Sequence, residues 1–230
     1  MKTFVHLTGW VPLGLVGIVL LVLAIRMARR PGLDRPNSDR KVFRLQLVRT
    51  VEDVEAAVGD LGDPRRDAER RGLRVDYGFI AVYAALFLAL SALLTRRAAD
   101  WGHWLGYAAG LAAIVGALSD VRENVKTKRV LETRLRETTP EIVRSMARST
   151  RVKWAAIVAT VAALNGLFWG DGRDGAMLWF GAAFGASAAI GALALLARRL
   201  LAVYFVAIGL TLLATAVLFA FCADVFLQGF

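Results

Sequence analysis

Cysteine and histidine are nearly absent: Cys222 stands alone, and His6 and His103 are the only imidazoles in 230 residues. A lone thiol excludes an internal disulfide and a paired-thiol redox motif. Two distant histidines exclude a His-Glu-x-x-His zinc helix, and His103 between Trp101 and Trp104 reads as part of an interfacial aromatic belt. No nucleophile elbow, no Rossmann glycine pattern and no paired-aspartate run of the CDP-alcohol transferase kind is present. Gly170-Asp171-Gly172-Arg173-Asp174-Gly175 is rich in glycine, but its spacing matches neither a P-loop nor an EF-hand and reads as a tight turn.

The larger absence is of charge. Lys, Arg, Asp and Glu are missing from residues 3–25, 77–95, 101–119, 154–170, 175–197 and 200–223, runs of 23, 19, 19, 17, 23 and 24 residues. Crossing about 30 Å of hydrocarbon takes about 20 apolar residues at a rise of about 1.5 Å each, and lipid leaves no backbone group unpaired. With 57% hydrophobic residues and a mean hydropathy of +0.52, the expectation is an all-α polytopic membrane helix bundle with about six transmembrane helices, residues 1–230 forming a single membrane domain. The first run leads into Arg26, Arg29 and Arg30 without a small-x-small cleavage site and reads as a retained anchor. The run at 154–170 is the shortest, and Lys153 is expected to lengthen it by extending its ammonium toward the interface.

Where charge is present, it is lopsided. Of the 29 Lys and Arg, residues 26–74 hold 13, residues 122–153 hold 10, and Arg198 and Arg199 add 2; Lys2, Arg96, Arg97 and Arg173 fall on the other side. The positive-inside rule then puts the basic connections in the cytoplasm and both termini outside it, in a cell (inner) membrane. The net charge of +10 is accounted for by topology, with no nucleic acid as partner. The partners expected are the lipid bilayer and its anionic headgroups at the cytoplasmic face. The 24 Arg against 5 Lys, with abundant Ala and Gly, hint at a GC-rich bacterial genome.

Residues 26–75 are expected to form a cytoplasmic loop with a short amphipathic helix. Pro31, Gly32, Pro36, Asn37 and Ser38 break structure, and Thr50 with Asp53 forms a capping box. Val51, Val54, Val58 and Leu61 then share one face, and the charged piece at 65–75 is expected to be continuous with the second spanning helix. Residues 120–153 are expected to form a cytoplasmic helical hairpin. The third helix carries good helix formers as far as Glu137, and Thr139-Pro140-Glu141 supplies an N-cap, a first-position proline and an acid for the next. A break is expected at Arg198 and Arg199. Gly102, Gly106, Gly110, Ala113 and Gly116, and separately Gly181, Gly185, Ala188 and Ala192, form small-residue stripes suited to helix contact or to a homo- or hetero-oligomer.

This topology gathers the polar residues near membrane depth at one level. Asp76 enters helix two, and Tyr83 stands two turns on. Asp120 and Glu123, spaced i and i+3 with Asn124 beside them, leave helix three, and Lys153 enters helix four. Such residues cost free energy in lipid unless paired or hydrated. Asp76, Asp120, Glu123 and Lys153 are the candidate catalytic cluster, with Tyr83 and Asn124 as candidate substrate-binding residues. Asp76, Asp120 and Glu123 suit Mg²⁺ or another hard cation, and Lys153 suits a phosphate. Alternatively a carboxylate acts as acid or base, or the acids merely neutralise the surrounding Arg and Lys. Asn165 is expected to make an interhelical hydrogen bond.

Asp76-Tyr77-Gly78-Phe79-Ile80 with Tyr83, then Asp120-x-x-Glu123-Asn124, then Ser149 and Thr150 ahead of Lys153-Trp154, resembles small uncharacterised bacterial multi-pass membrane proteins over residues 40–165. The resemblance implies the same cluster and no particular activity. Three functional classes follow. The first is an integral membrane protein of structural or accessory role. The second is an enzyme acting on lipid headgroups at the cytoplasmic leaflet through the carboxylate cluster. The third is a small-solute transporter, for which the midplane polar residues Asn165, Ser187 and Thr211 are sparse.

Overall fold

A computed structural model describes residues 45–96, 100–170, 176–197 and 200–221, together with positions 19 and 22. Its described residues form six α-helices: α1 (Val51–Val58), α2 (Pro64–Thr95), α3 (Asp100–Glu132), α4 (Pro140–Gly170), α5 (Ala176–Leu196) and α6 (Leu201–Phe221). Short 3-10 turns at Leu45–Leu47 and Leu135–Glu137 precede α1 and α4. The expectations for the two termini, for the first apolar run, for His6, Cys222, Arg198 and Arg199, and for the turn at 171–175 lie outside the described residues.

The helix ends follow local chemistry. Thr50 accepts the Asp53 N–H through its hydroxyl while the Asp53 carboxylate takes the Thr50 N–H at 3.1 Å, completing the capping box of α1. Gly59 ends that helix at φ 66°, where a Cβ would run into the Asp63 carboxylate. Asp63 caps α2 and Pro64 opens it. From there α2 runs unbroken through the charged residues 65–76 into the apolar half, and α4 begins at Pro140 as Thr139-Pro140-Glu141 predicts. Helix α3 stops at Glu132, five residues short of Glu137. Arginines take up the carbonyls at and just past this end: buried Arg66 Nη1 donates to Val130 O at 3.1 Å, Leu131 O at 3.3 Å and Thr133 O at 2.6 Å, and Arg70 Nη2 donates to Leu131 O at 3.0 Å.

The all-α membrane bundle holds, but the count of six spans does not. Among the described residues four helices, α2 to α5, are long and apolar enough to cross a bilayer. The sixth charge-free run forms α6 (Leu201–Phe221), whose described apolar stretch is Val203–Ala214, and the first run lies largely outside the described residues.

Helix α4 is central, packing against α3, α5 and α2, while α6 leans on α5. The small-residue stripes close within the chain: a Cβ on Gly106 would overlap the Thr95 side chain of α2, and Gly116 faces Ala156 and Ile157 of α4. On α5, Gly185 faces Asn165 and Gly191 faces Val158 and Tyr204. Ser187 and Thr211 share a hydrogen bond of 2.9 Å between α5 and α6, and Asn165 accepts from Trp169 Nε1 at 2.9 Å within α4. A second apolar cluster joins Leu45, Val48, Val54 and Val58 to Val130, Leu131, Val143 and Met146, docking α1 on the ends of α3 and α4. Fully burying Val54 and Val58 contributes about 1.5–3 kcal/mol each.

Exposed Trp101, Trp104, Trp169 and Trp179 lie at the opposite end of the bundle, with His103 exposed among them. Such a layer marks a membrane boundary and gives a ruler for depth.

Candidate functional site

Asp120 lies 16 residues after Trp104 on α3, and Lys153 lies 16 residues before Trp169 on α4. At 1.5 Å per residue both stand about 24 Å from the tryptophan layer, just inside the far edge of about 30 Å of hydrocarbon. The antiparallel pairing of the two helices brings them to one level. Lys153 Nζ donates to Asp120 Oδ1 at 3.0 Å and lies 2.8 Å from Glu123 Oε2. The second contact is an ion pair held by charge, off the direction of an aligned hydrogen bond. Side-chain exposure is 3% for Lys153, 8% for Asp120 and 5% for Glu123, so one ammonium serves two carboxylates away from water.

The i, i+3 spacing of Asp120 and Glu123 puts both acids on the side of α3 that α4 covers, which is why a single lysine reaches both. Tyr83 of α2 donates its hydroxyl to Asp120 Oδ2 at 3.1 Å, closing the group from a third helix. Asn124, one turn beyond Asp120, donates from Nδ2 to Asp76 Oδ2 at 2.6 Å. All six expected residues therefore gather around one level, as two sets: Tyr83, Asp120, Lys153 and Glu123 in one, and Asp76 with Asn124 in the other. The Lys153 ring neighbour is Trp154, whose centroid is 5.3 Å from Nζ and which meets Tyr204 edge-on at 5.8 Å.

Two expectations change. Lys153 does not extend toward the interface: two acids on the neighbouring helix attract it inward, and it is 2% exposed. Among the described residues, no group of three or more Asp, Glu, His or Cys side chains is placed to hold a metal ion. The place between Asp120 and Glu123 is taken by the Lys153 ammonium, and Asp76 binds Asn124, so Asp76, Asp120 and Glu123 are not arranged as a ligand set for the Mg²⁺ that the sequence left open.

Polar residues continue the group toward the basic end. Lys126 Nζ donates to Ser145 O at 2.8 Å and to Ser149 Oγ at 2.7 Å, joining α3 to α4 just beyond the triad. Lys126 and the buried Arg66 were not singled out from sequence. Among many arginines, a buried one has no local mark, since three of its four carbonyl partners lie 64 to 67 residues away. Comparison with protein-family models, with curated proteins and with solved structures gives no match.

Proposed function

We propose that this membrane helix bundle is an enzyme acting on a phosphate-bearing lipid headgroup at the leaflet that meets its basic end. The reading takes Asp120, Glu123 and Lys153 as the reactive group, with Tyr83 holding Asp120, and Asn124 with Asp76 alongside. One observation carries it: three ionisable side chains from two helices meet within 3.0 Å near the hydrocarbon edge. Burial there is costly, and polar groups kept at such depth are the usual mark of function. In this role a carboxylate exchanges a proton with the headgroup, and the lysine meets its phosphate. A headgroup reaches the buried triad only when side chains around it move aside. The crowding of Lys and Arg at this end supports placing it in the cytoplasm, against anionic headgroups.

A second reading has its own support. Every member of the triad is engaged by another member and almost sealed from water, which is what a static lock between α3 and α4 requires. On that reading the protein is structural or accessory. Asp120→Asn and Glu123→Gln, expressed in cells lacking the wild-type chain, separate the two. Normal abundance with the lipid profile of the deletion supports the enzyme. Normal lipids at normal abundance, or a profile that merely follows lost abundance, refute it.

A further inference from the structure

Outside the triad, the strongest unexplained feature is a recess of about 340 Å³ lined by Arg49, Arg144, Ala147, Arg148 and Arg151. Arg144, Arg148 and Arg151 follow one another at intervals of four and three residues, which places them on one face of α4. Arg49 is supplied by the segment before α1, held against α4 because Leu45 and Val48 are buried with Val143 and Met146. Ala147 leaves room between the guanidinium groups. Like charges at this spacing disfavour a helix, yet the compensation is slight: Glu141 binds Arg144 Nη2 at 2.6 Å. Among the described residues no acidic side chain pairs with Arg49, Arg148 or Arg151.

Depth points to the same ligand chemistry. Arg151 and Arg148 stand 18 and 21 residues before Trp169, or about 27 and 31 Å from the tryptophan layer. That is the level at which hydrocarbon gives way to headgroup phosphates. Guanidinium forks match phosphate oxygens in pairs. We infer that this arginine recess is a binding site for a phosphoryl group, carried by a lipid headgroup or by free phosphate. The site stands whether or not the triad is reactive.

The test uses the full chain in nanodiscs and reads the thermal midpoint as ligand is added, since a ligand that binds the folded state raises it. Inorganic phosphate is titrated into phosphatidylcholine discs in one arm, and phosphatidic acid replaces part of the lipid in the other. Chloride at matched ionic strength is the control. A rise with phosphate assigns a soluble phosphoryl ligand, and a rise with phosphatidic acid alone assigns a headgroup; both support the site. Arg148→Gln with Arg151→Gln should weaken apparent affinity about tenfold or more, while the ligand-free variant is no less stable than wild type because repulsion is relieved. Should that variant fail to fold, Arg148→Lys with Arg151→Lys keeps the charge and should bind several-fold more weakly through loss of the forked geometry. No rise in either arm, an equal rise with chloride, or unchanged affinity in a folded variant overturns the proposal.

Discussion

Replacing Lys153 with Met removes the one ammonium that Asp120 and Glu123 share, at 3.0 and 2.8 Å, while keeping much of the side-chain volume. The two carboxylates are left facing each other with side-chain exposures of 8% and 5%. Breaking a buried ion pair from one side costs about 3–5 kcal/mol, because the abandoned charge cannot recover its hydration. Tyr83 still donates to Asp120 and the Thr150 hydroxyl is a hydrogen-bond neighbour of Glu123, so the lower part of that range is expected. Neutralising the whole group through Asp120→Asn, Glu123→Gln and Lys153→Met together should cost far less, within about 1–2 kcal/mol of wild type, since no charge then remains to be solvated. Reversible denaturation in mixed micelles, followed by near-ultraviolet circular dichroism, measures both. A single-variant cost below about 1 kcal/mol, or a triple-variant cost equal to the single, would show that the lysine is not the counter-charge of a desolvated pair.

Arg66→Met should destabilise the protein by about 2–4 kcal/mol, because its Nε and Nη1 bond Gly59, Val130, Leu131 and Thr133 carbonyls in a buried setting; faster amide exchange around 130–135 would accompany it, and unchanged denaturation would contradict it. Gly106→Ala should cost about 1–3 kcal/mol through collision with Thr95, and adding Thr95→Ala should recover part of the loss; a neutral Gly106→Ala would show that α2 and α3 are not so closely packed. The Asp60 carboxyl is held below the usual carboxylate range by the Leu135 N–H and then the Leu61 N–H. A lowered folded value means that this tie between the two turns is complete above the ordinary aspartate range and weakens as pH falls through the lowered value. Leu135 amide protection should therefore drop on acidification, Asp60→Asn should remove the dependence, and a pH-independent protection factor in wild type would refute the assignment.

The sequence by itself determined what depends on near neighbours along the chain. Charge-free stretches place the spanning halves of α2, α3, α4 and α5, because a segment without Lys, Arg, Asp or Glu can shed water wherever it lies. Thr50 with Asp53, and Thr139 with Pro140, set helix starts through bonds and sterics within four residues. The shared level of Asp120, Glu123 and Lys153 is legible too, since depth follows from counting residues at a constant rise.

Tertiary structure decided direction. Whether Lys153 extends to the interface or turns to Asp120 and Glu123 depends on the rotation of α4 about its axis against α3, and each residue turns the helix by about 100°. The packing of α2 against α3 sends Asp76 to Asn124 and away from a common carboxylate cluster, and the rotation of α4 aligns Arg144, Arg148 and Arg151 with Arg49. Arg66 stops α3 at Glu132 from across the fold, where the helix formers to Glu137 favour continuation. The physical reason is common to all four: side-chain partners in a bundle are set by how helices rotate and pack against one another, and that packing is a property of pairs of segments far apart in the chain.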